Sequence, residues 1–218
     1  MNVNPLIIDG GFLVAFEGID GTGKTTIARK ITERLQETGF VAEYLSEPTD
    51  GPFGRQLREI MTSVETRDPQ MEFELFILDR QDDVEHNIRP VLQAGGIVCI
   101  DRYYVSSMAY QGALGLDPVM IREENEKFAP VPDLILRFDV PVDVALERIS
   151  RTRPEGANQF EKREYLEKVK ALFEEMNFSQ MVTVSSCDTW DRVFANAWNV
   201  IVDGLEKSGR CHLRLEKL

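Results

Sequence analysis

Short, uniformly apolar runs alternate along this chain with longer stretches in which apolar residues recur every three or four positions. The first kind reads as strands buried on both faces, the second as helices that pack one face on a sheet. Phe12–Phe16 is such a run, and Ile27, Ile31 and Leu35 follow it, four apart, on a predicted helix that Gly39 can terminate. Val41–Ser46 is the next predicted strand; it leads into Glu47-Pro48-Thr49-Asp50-Gly51-Pro52, whose prolines and glycine predict an irregular loop. A short helix is expected over Phe53–Thr62. A long one is expected from Pro69 to about Ala94, carrying Phe73, Phe76, Ile77, Val84 and Ile88, with Pro90 kinking or breaking it. Ile97–Ile100, after Gly95-Gly96, is fully apolar and reads as a central parallel strand. Beyond it the pattern predicts a helix over Asp117–Lys127, a strand over Leu134–Phe138, helices over Val142–Ser150 and Glu161–Met176, a strand over Met181–Val184 and a last helix over Trp190–Leu205.

Strands alternating with helices describe an α/β architecture, and 218 residues suit one such domain with small insertions. Hydrophobic residues at 43% and charged residues at 28% are ordinary globular values, and the longest apolar runs are too short to cross a bilayer, so no membrane partner is expected. Cys99, Cys187 and Cys211 have neither metal-ligand nor redox spacing. Met1–Gly11 lacks the basic region and apolar core of a leader peptide, and a cytoplasmic location fits best. A formal net charge of −12 disfavours nucleic acid and polyanions in general, so an anionic substrate must be drawn by a local cluster of cations.

The chemistry concentrates after the first strand, in Gly18-Ile19-Asp20-Gly21-Thr22-Gly23-Lys24-Thr25-Thr26. Glycines at this spacing let the backbone curl until several N–H groups converge on phosphate oxygens at a helix N-terminus. Lys24 would reach the β/γ-phosphates of a nucleoside triphosphate, and Thr25 would hold Mg²⁺. Asp101-Arg102 ends the central strand, and because ligands bind outside the carboxyl ends of such strands, both should face the same crevice as Lys24. Arg148, Arg151 and Arg153, with Pro154-Glu155-Gly156, form a basic irregular segment between helices that suits a mobile lid, or else a solvated helix end whose cations favour the C-terminal dipole.

Taken together, Phe16-Glu17 with the phosphate loop, Glu47-Pro48, Asp101-Arg102-Tyr103 with Ser106-Ser107 and Tyr110-Gln111-Gly112, and Pro132-Asp133-Leu134 closely resemble the thymidylate kinases. The resemblance runs from about Phe12 to Leu205. It implies a P-loop NTPase fold in three layers, a five-stranded parallel sheet flanked by helices with a short lid at about 151–161, preceded by an extension (1–11) and followed by a tail (206–218). It implies phosphorylation of dTMP by ATP with Mg²⁺, on the way to dTTP, usually in a homodimer. A related kinase for another nucleoside monophosphate is the alternative. A nucleotide-binding switch is a second, but the base-reading motif it would want after Leu134–Phe138 is absent, where Asp139-Val140-Pro141-Val142-Asp143 stands instead.

Phosphoryl transfer demands positioning and charge neutralisation, so cations must surround both phosphates. By resemblance, Arg102 and Arg58 clamp the acceptor phosphate, and Asp101 orients a Mg²⁺-bound water or the nucleophile. Asp20 approaches the sugar 3′-hydroxyl, or merely braces its turn. Phe76 and Arg80, four apart on one helix face, stack on the base and bond its carbonyl; read alone, Phe76 is better explained as core. Ser106, Glu47 and Pro48 join the acceptor set, with Tyr110 beside the sugar, Gln111 near the base edge, and a cis Glu47–Pro48 peptide. Some thymidylate kinases place a catalytic arginine in the phosphate loop and others in the lid. Asp20, Gly21 and Thr22 are not basic, so Arg151 and Arg153 are the expected source here.

Overall fold

The computed structural model describes residues 6–62, 68–152, 159–210 and 216–218. In chain order its elements are β1 (Phe12–Glu17), α1 (Lys24–Glu37), β2 (Ala42–Ser46), α2 (Pro52–Thr62), α3 (Pro69–Asp83), a π-helical turn (Val84–Ile88) and α4 (Arg89–Gln93). There follow β3 (Ile97–Asp101), α5 (Tyr104–Tyr110), a 3-10 turn (Gly112–Leu114), α6 (Pro118–Glu126), β4 (Leu134–Asp139), α7 (Val142–Thr152), α8 (Gln159–Glu175), β5 (Met181–Ser185) and α9 (Trp190–Ser208). The strands form one parallel sheet in the order β2-β3-β1-β4-β5.

Parallel strands need crossovers, and the crossover helices cover both faces, which is why β1 and β3 are apolar and buried along their whole length. Alternation along each strand sorts the side chains into two cores. Leu13, Ala15, Val98, Ile100 and Ile135 pack on one face with residues of α3, α5, α6 and α8. Phe12, Val14, Phe16, Ile97, Cys99, Leu136 and Phe138 pack on the other beneath α1 and α9. Cys99 serves as packing there, its thiol pushed up to about 12 by burial.

The long helix expected from Pro69 to about Ala94 is not broken at Pro90: helical backbone continues from Pro69 to Gln93 through a π turn. Asp68 caps it by accepting from the N–H groups of Gln70 and Met71, and Pro69 opens it. Pro90 can neither donate to residue 86 nor let a regular turn pass its ring, and the widened π turn immediately before it absorbs the mismatch.

The described residues before β1 and after α9 pack on the domain. Leu6 makes a parallel bridge with Phe40 and Ile8 is fully buried. Helix α9 runs three residues past its expected end to Ser208; Arg210 then ion-pairs with Asp133 and donates to the Gly11 carbonyl at 2.9 Å. Of the segment read as a lid, 151–152 complete α7, 159–161 open α8, and 153–158, including Arg153, lie outside the described residues. No described helix is long and apolar enough to cross a membrane.

Candidate active site

Strand β1 delivers its C-terminal end straight into a loop of residues 18–23 that closes on the first turn of α1. Gly18 sits at φ 128°, and a Cβ there would lie 2.3 Å from the Phe138 carbonyl oxygen, so no other residue fits. Gly23, the N-cap of α1, sits at φ 83° with open space around its missing Cβ, and no side chain caps the helix N-terminus there. Lys24 folds back over this loop with its Nζ 3.4 Å from the Ile19 carbonyl oxygen. Burial, and then the neighbouring Arg102, lowers its ammonium to about 8 against the pull of Asp20, Asp101 and Glu17. The Thr25 hydroxyl donates to Asp101 Oδ2 at the end of β3, and the Tyr44 hydroxyl donates to the same oxygen at 3.3 Å. Asp101 Oδ1 is buried without a hydrogen-bond partner among the described residues.

A cleft of 550 Å³ opens beside this loop, within the ordinary range of small-molecule sites. All ten residues expected to bind the acceptor line it: Asp20, Glu47, Pro48, Arg58, Phe76, Arg80, Arg102, Ser106, Tyr110 and Gln111. They come from the phosphate loop, the β2–α2 connection, α2, α3 and the segment from β3 through α5. Met61, Tyr103, Ser107 and Tyr165 complete the lining. The Glu47–Pro48 peptide is cis. Phe76 is half-buried at the cleft wall rather than a core residue.

Arg102 stands at one end with φ 69°, a left-handed backbone that a non-glycine residue rarely adopts. Its guanidinium donates to Asp20 Oδ1 at 2.7 Å, to the Tyr110 hydroxyl at 3.1 Å and to the Ser106 hydroxyl at 3.1 Å, and lies 4.7 Å from the Tyr110 ring centre. The Tyr110 hydroxyl also accepts the Asp20 N–H at 3.0 Å, so the three residues form one cluster. Arg58 donates to the Pro48 carbonyl and to Asp50, each at 2.8 Å.

Arg80 stands at the other end, where its side chain is 1% exposed and that of Glu47 2%. Its Nε and Nη2 donate to Glu47 Oε2 at 2.8 and 2.5 Å, its Nη1 donates to Asn125, and its Nη2 also reaches the Ser107 hydroxyl at 3.1 Å. Burial raises the Glu47 carboxyl, and Arg80 opposes the rise. Gln111 is buried beside this network, with an amide oxygen that lacks a partner among the described residues.

The arginines of the α7 end are divided. Arg148 donates to the Gly21 carbonyl at 3.3 Å and to the Ser186 carbonyl at 2.9 Å, tying the phosphate loop to the β5–α9 connection. Arg151 is exposed and pairs with Glu147 at 2.6 Å, one turn back on its own helix. Three supporting residues were given no role in the sequence reading. Asn125 gave no signal, and neither did Asp79, which binds the Thr49 N–H and hydroxyl at 2.8 and 2.6 Å and so braces the proline loop. Glu17 did give one, as a carboxylate ending a strand of otherwise apolar residues.

A family model described as thymidylate kinase matches residues 16–195. Among curated proteins, a probable thymidylate kinase of Archaeoglobus fulgidus is 45% identical over 87% of this chain and 94% of its own. The thymidylate kinase of Desulfotalea psychrophila is 41% identical over 84% and 90%, and that of Xanthomonas campestris pv. campestris (strain B100) 39% over 95% and 92%. Among solved structures, thymidylate kinase from Ehrlichia chaffeensis superimposes with a TM-score of 0.71 at 25% identity, over 88% of this chain and 98% of that one.

Proposed function

The chain belongs to the thymidylate kinase family, and we propose that it transfers the γ-phosphoryl group of ATP to dTMP, giving dTDP and ADP. One observation carries the acceptor half of this reading: ten residues from five separate segments converge on a single cleft next to the phosphate loop.

On the donor side, Lys24 holds the β/γ-phosphates and the loop from Gly18 to Thr26 offers its backbone N–H groups. Thr25 and Asp101 fit a divalent cation: a hydroxyl and a carboxylate adjoin, one carboxylate oxygen is buried and unclaimed, and Mg²⁺ takes few protein ligands beside phosphate and water. When bound there, Mg²⁺ supplies charge neutralisation between the donor phosphates. On the acceptor side, Arg102 and Arg58 grip the dTMP phosphate, Asp20 and Tyr110 flank the sugar, and Phe76 stacks on thymine while Arg80 and Gln111 face its polar edge. Arg151 and Arg153 bring the transition-state charge over the donor. The protein works as a homodimer in the cytoplasm.

The test is ADP release from ATP and Mg²⁺, coupled to a reporter, with dTMP, dUMP and other monophosphates in parallel. Release stimulated most by dTMP and abolished by Lys24→Ala supports the reading, whereas equal release with and without dTMP overturns it.

A further inference from the structure

Strand β1 ends on Glu17, a carboxylate with no exposed surface. The transfer proposed above makes no direct use of it, yet both of its oxygens find donors. Oε1 accepts the backbone N–H of Tyr103 at 2.9 Å and that of Ser106 at 3.2 Å, and Oε2 accepts the Ser106 hydroxyl. Tyr103 is the N-cap of α5, and no side chain of its own segment caps that helix, so Glu17 takes the part from another strand.

The hydroxyl carries the argument further. When Glu17 is ionised, Ser106 gives it its one hydroxyl proton and turns a lone pair to the Arg102 Nη1, 3.1 Å away; burial pushes the Glu17 carboxyl up to about 7, with Ser106 and Arg102 opposing, so this arrangement is complete above that pH. The Arg102 N–H, meanwhile, donates to the Phe16 carbonyl at 3.0 Å. The left-handed Arg102 is therefore fixed from β1 twice: through its own backbone by Phe16, and through its guanidinium by Glu17 acting across Ser106.

We propose that Glu17 is a positioning residue, whose carboxylate caps α5 and fixes the Ser106 hydroxyl so that the Arg102 guanidinium is aimed at the acceptor phosphate. The proposal rests on the acceptor-phosphate role given to Arg102 above. A carboxylate that merely capped the helix would support the fold and leave substrate selectivity untouched.

Glutamine separates the two roles. Its amide oxygen can still accept from the backbone N–H groups, but its amide N–H then faces Ser106, and the displaced hydroxyl proton competes with Arg102 for the same space. Glu17→Gln, Ser106→Ala and the double variant are compared with the parent by steady-state kinetics in each substrate. The expected result is a dTMP KM raised about tenfold with a lower kcat in each single variant, an ATP KM within about twofold, and a double variant no worse than the worse single one. Equal shifts in both KM values, or effects of the two changes that multiply, overturn the positioning role. Should Glu17→Gln not fold, Glu17→Asp takes its place in the same comparison, since its shorter carboxylate draws back from Ser106: dTMP kinetics within about twofold of the parent overturn the proposal. Parent protein that ignores dTMP instead overturns the function proposed above, and the two failures are distinct.

Discussion

Replacing Arg80 by Met tests the buried pair at the base end of the cleft. The substitution keeps a long flexible side chain, so little volume is lost, but it removes four donated hydrogen bonds. Glu47 Oε1 already lacks a hydrogen-bond partner among the described residues, so the variant leaves both carboxylate oxygens without a cation in a site 2% exposed. Breaking one side of such a pair typically destabilises by about 3 to 5 kcal/mol. For a chain of this size that corresponds to a melting temperature lower by roughly 6 to 20 °C. The effect has a pH signature. Burial raises the Glu47 carboxyl from an ordinary 4.5 to about 8, with Arg80 opposing, so the stability associated with its protonated form is lost as pH rises through that window. At pH 6 parent and variant both fold with Glu47 protonated, and the deficit is at its smallest. Above about 8 the parent ionises against Arg80 while the variant must hold its proton or ionise unpaired, and the gap widens by up to ~1.4 kcal/mol per pH unit. Urea unfolding at pH 6.0 and 8.5 measures both values. The double variant with Glu47→Gln should recover part of the loss and flatten the pH dependence. A deficit below about 1 kcal/mol at pH 8.5, or one that narrows as pH rises, refutes the assignment of a buried ion pair.

Because the Lys24 ammonium is lowered to about 8 by burial, ATP binding should take up a proton above that pH, and ATP affinity should fall up to about tenfold per unit. Calorimetry in two buffers between pH 7 and 9.5 checks this, and a flat affinity counts against the placement of Lys24 on phosphate. Arg151→Ala with Arg153→Ala should lower kcat by roughly 10³-fold at saturating substrates. A double variant within about threefold of the parent, near 0.65 kcal/mol, would transfer the role to Arg148, which already reaches the phosphate loop. Tyr110→Ala should narrow the preference for dTMP over ribothymidine monophosphate by opening space beside C2′; an unchanged ratio of kcat/KM values would remove Tyr110 from the sugar.

The fold was legible because a parallel sheet buried on both faces leaves a local trace, a wholly apolar run followed by a spaced one, as in Phe12–Phe16 and Ile27, Ile31, Leu35. The phosphate loop was legible for the same local reason: Gly18 and Gly23 adopt backbones that other residues avoid. The acceptor cleft was not local. Arg80 alone says nothing, since the contacts that define it lie 27 to 45 residues away. Resemblance supplied that cluster, but not Asn125, and it included Glu17 without a role, because the partners of both are brought close only by tertiary packing. The π turn before Pro90 was half-legible, because proline announces a defect without saying whether the helix breaks or widens.

The pairing of the site's cations divides them by the work proposed for each. In a chain with a formal charge of −12, an arginine in a cleft meets carboxylates before it meets substrate. Arg80 and Glu47 are sealed at 1% and 2% exposure, so water does not compete for their contact and it braces that end of the cleft. Arg102 and Asp20 are 20% and 56% exposed, and Arg58 and Asp50 41% and 104%. The Arg58–Asp50 pair, open to water on both sides, is worth little, within about 1 kcal/mol, and exchanges readily. The Asp20 pair is tighter: against the rise that burial imposes, Arg102 and Lys24 hold its carboxyl down to about 2. On the acceptor placement proposed above, an arriving phosphate dianion would displace Asp50 from Arg58 at small loss, and would have to outcompete Asp20 for Arg102. Asp20, once displaced, remains beside Tyr110, where the sugar would lie. If Arg102 takes the acceptor phosphate as proposed, the carboxylate that pairs with it in the free protein would be left facing the sugar, and binding and alignment of the acceptor would become one rearrangement.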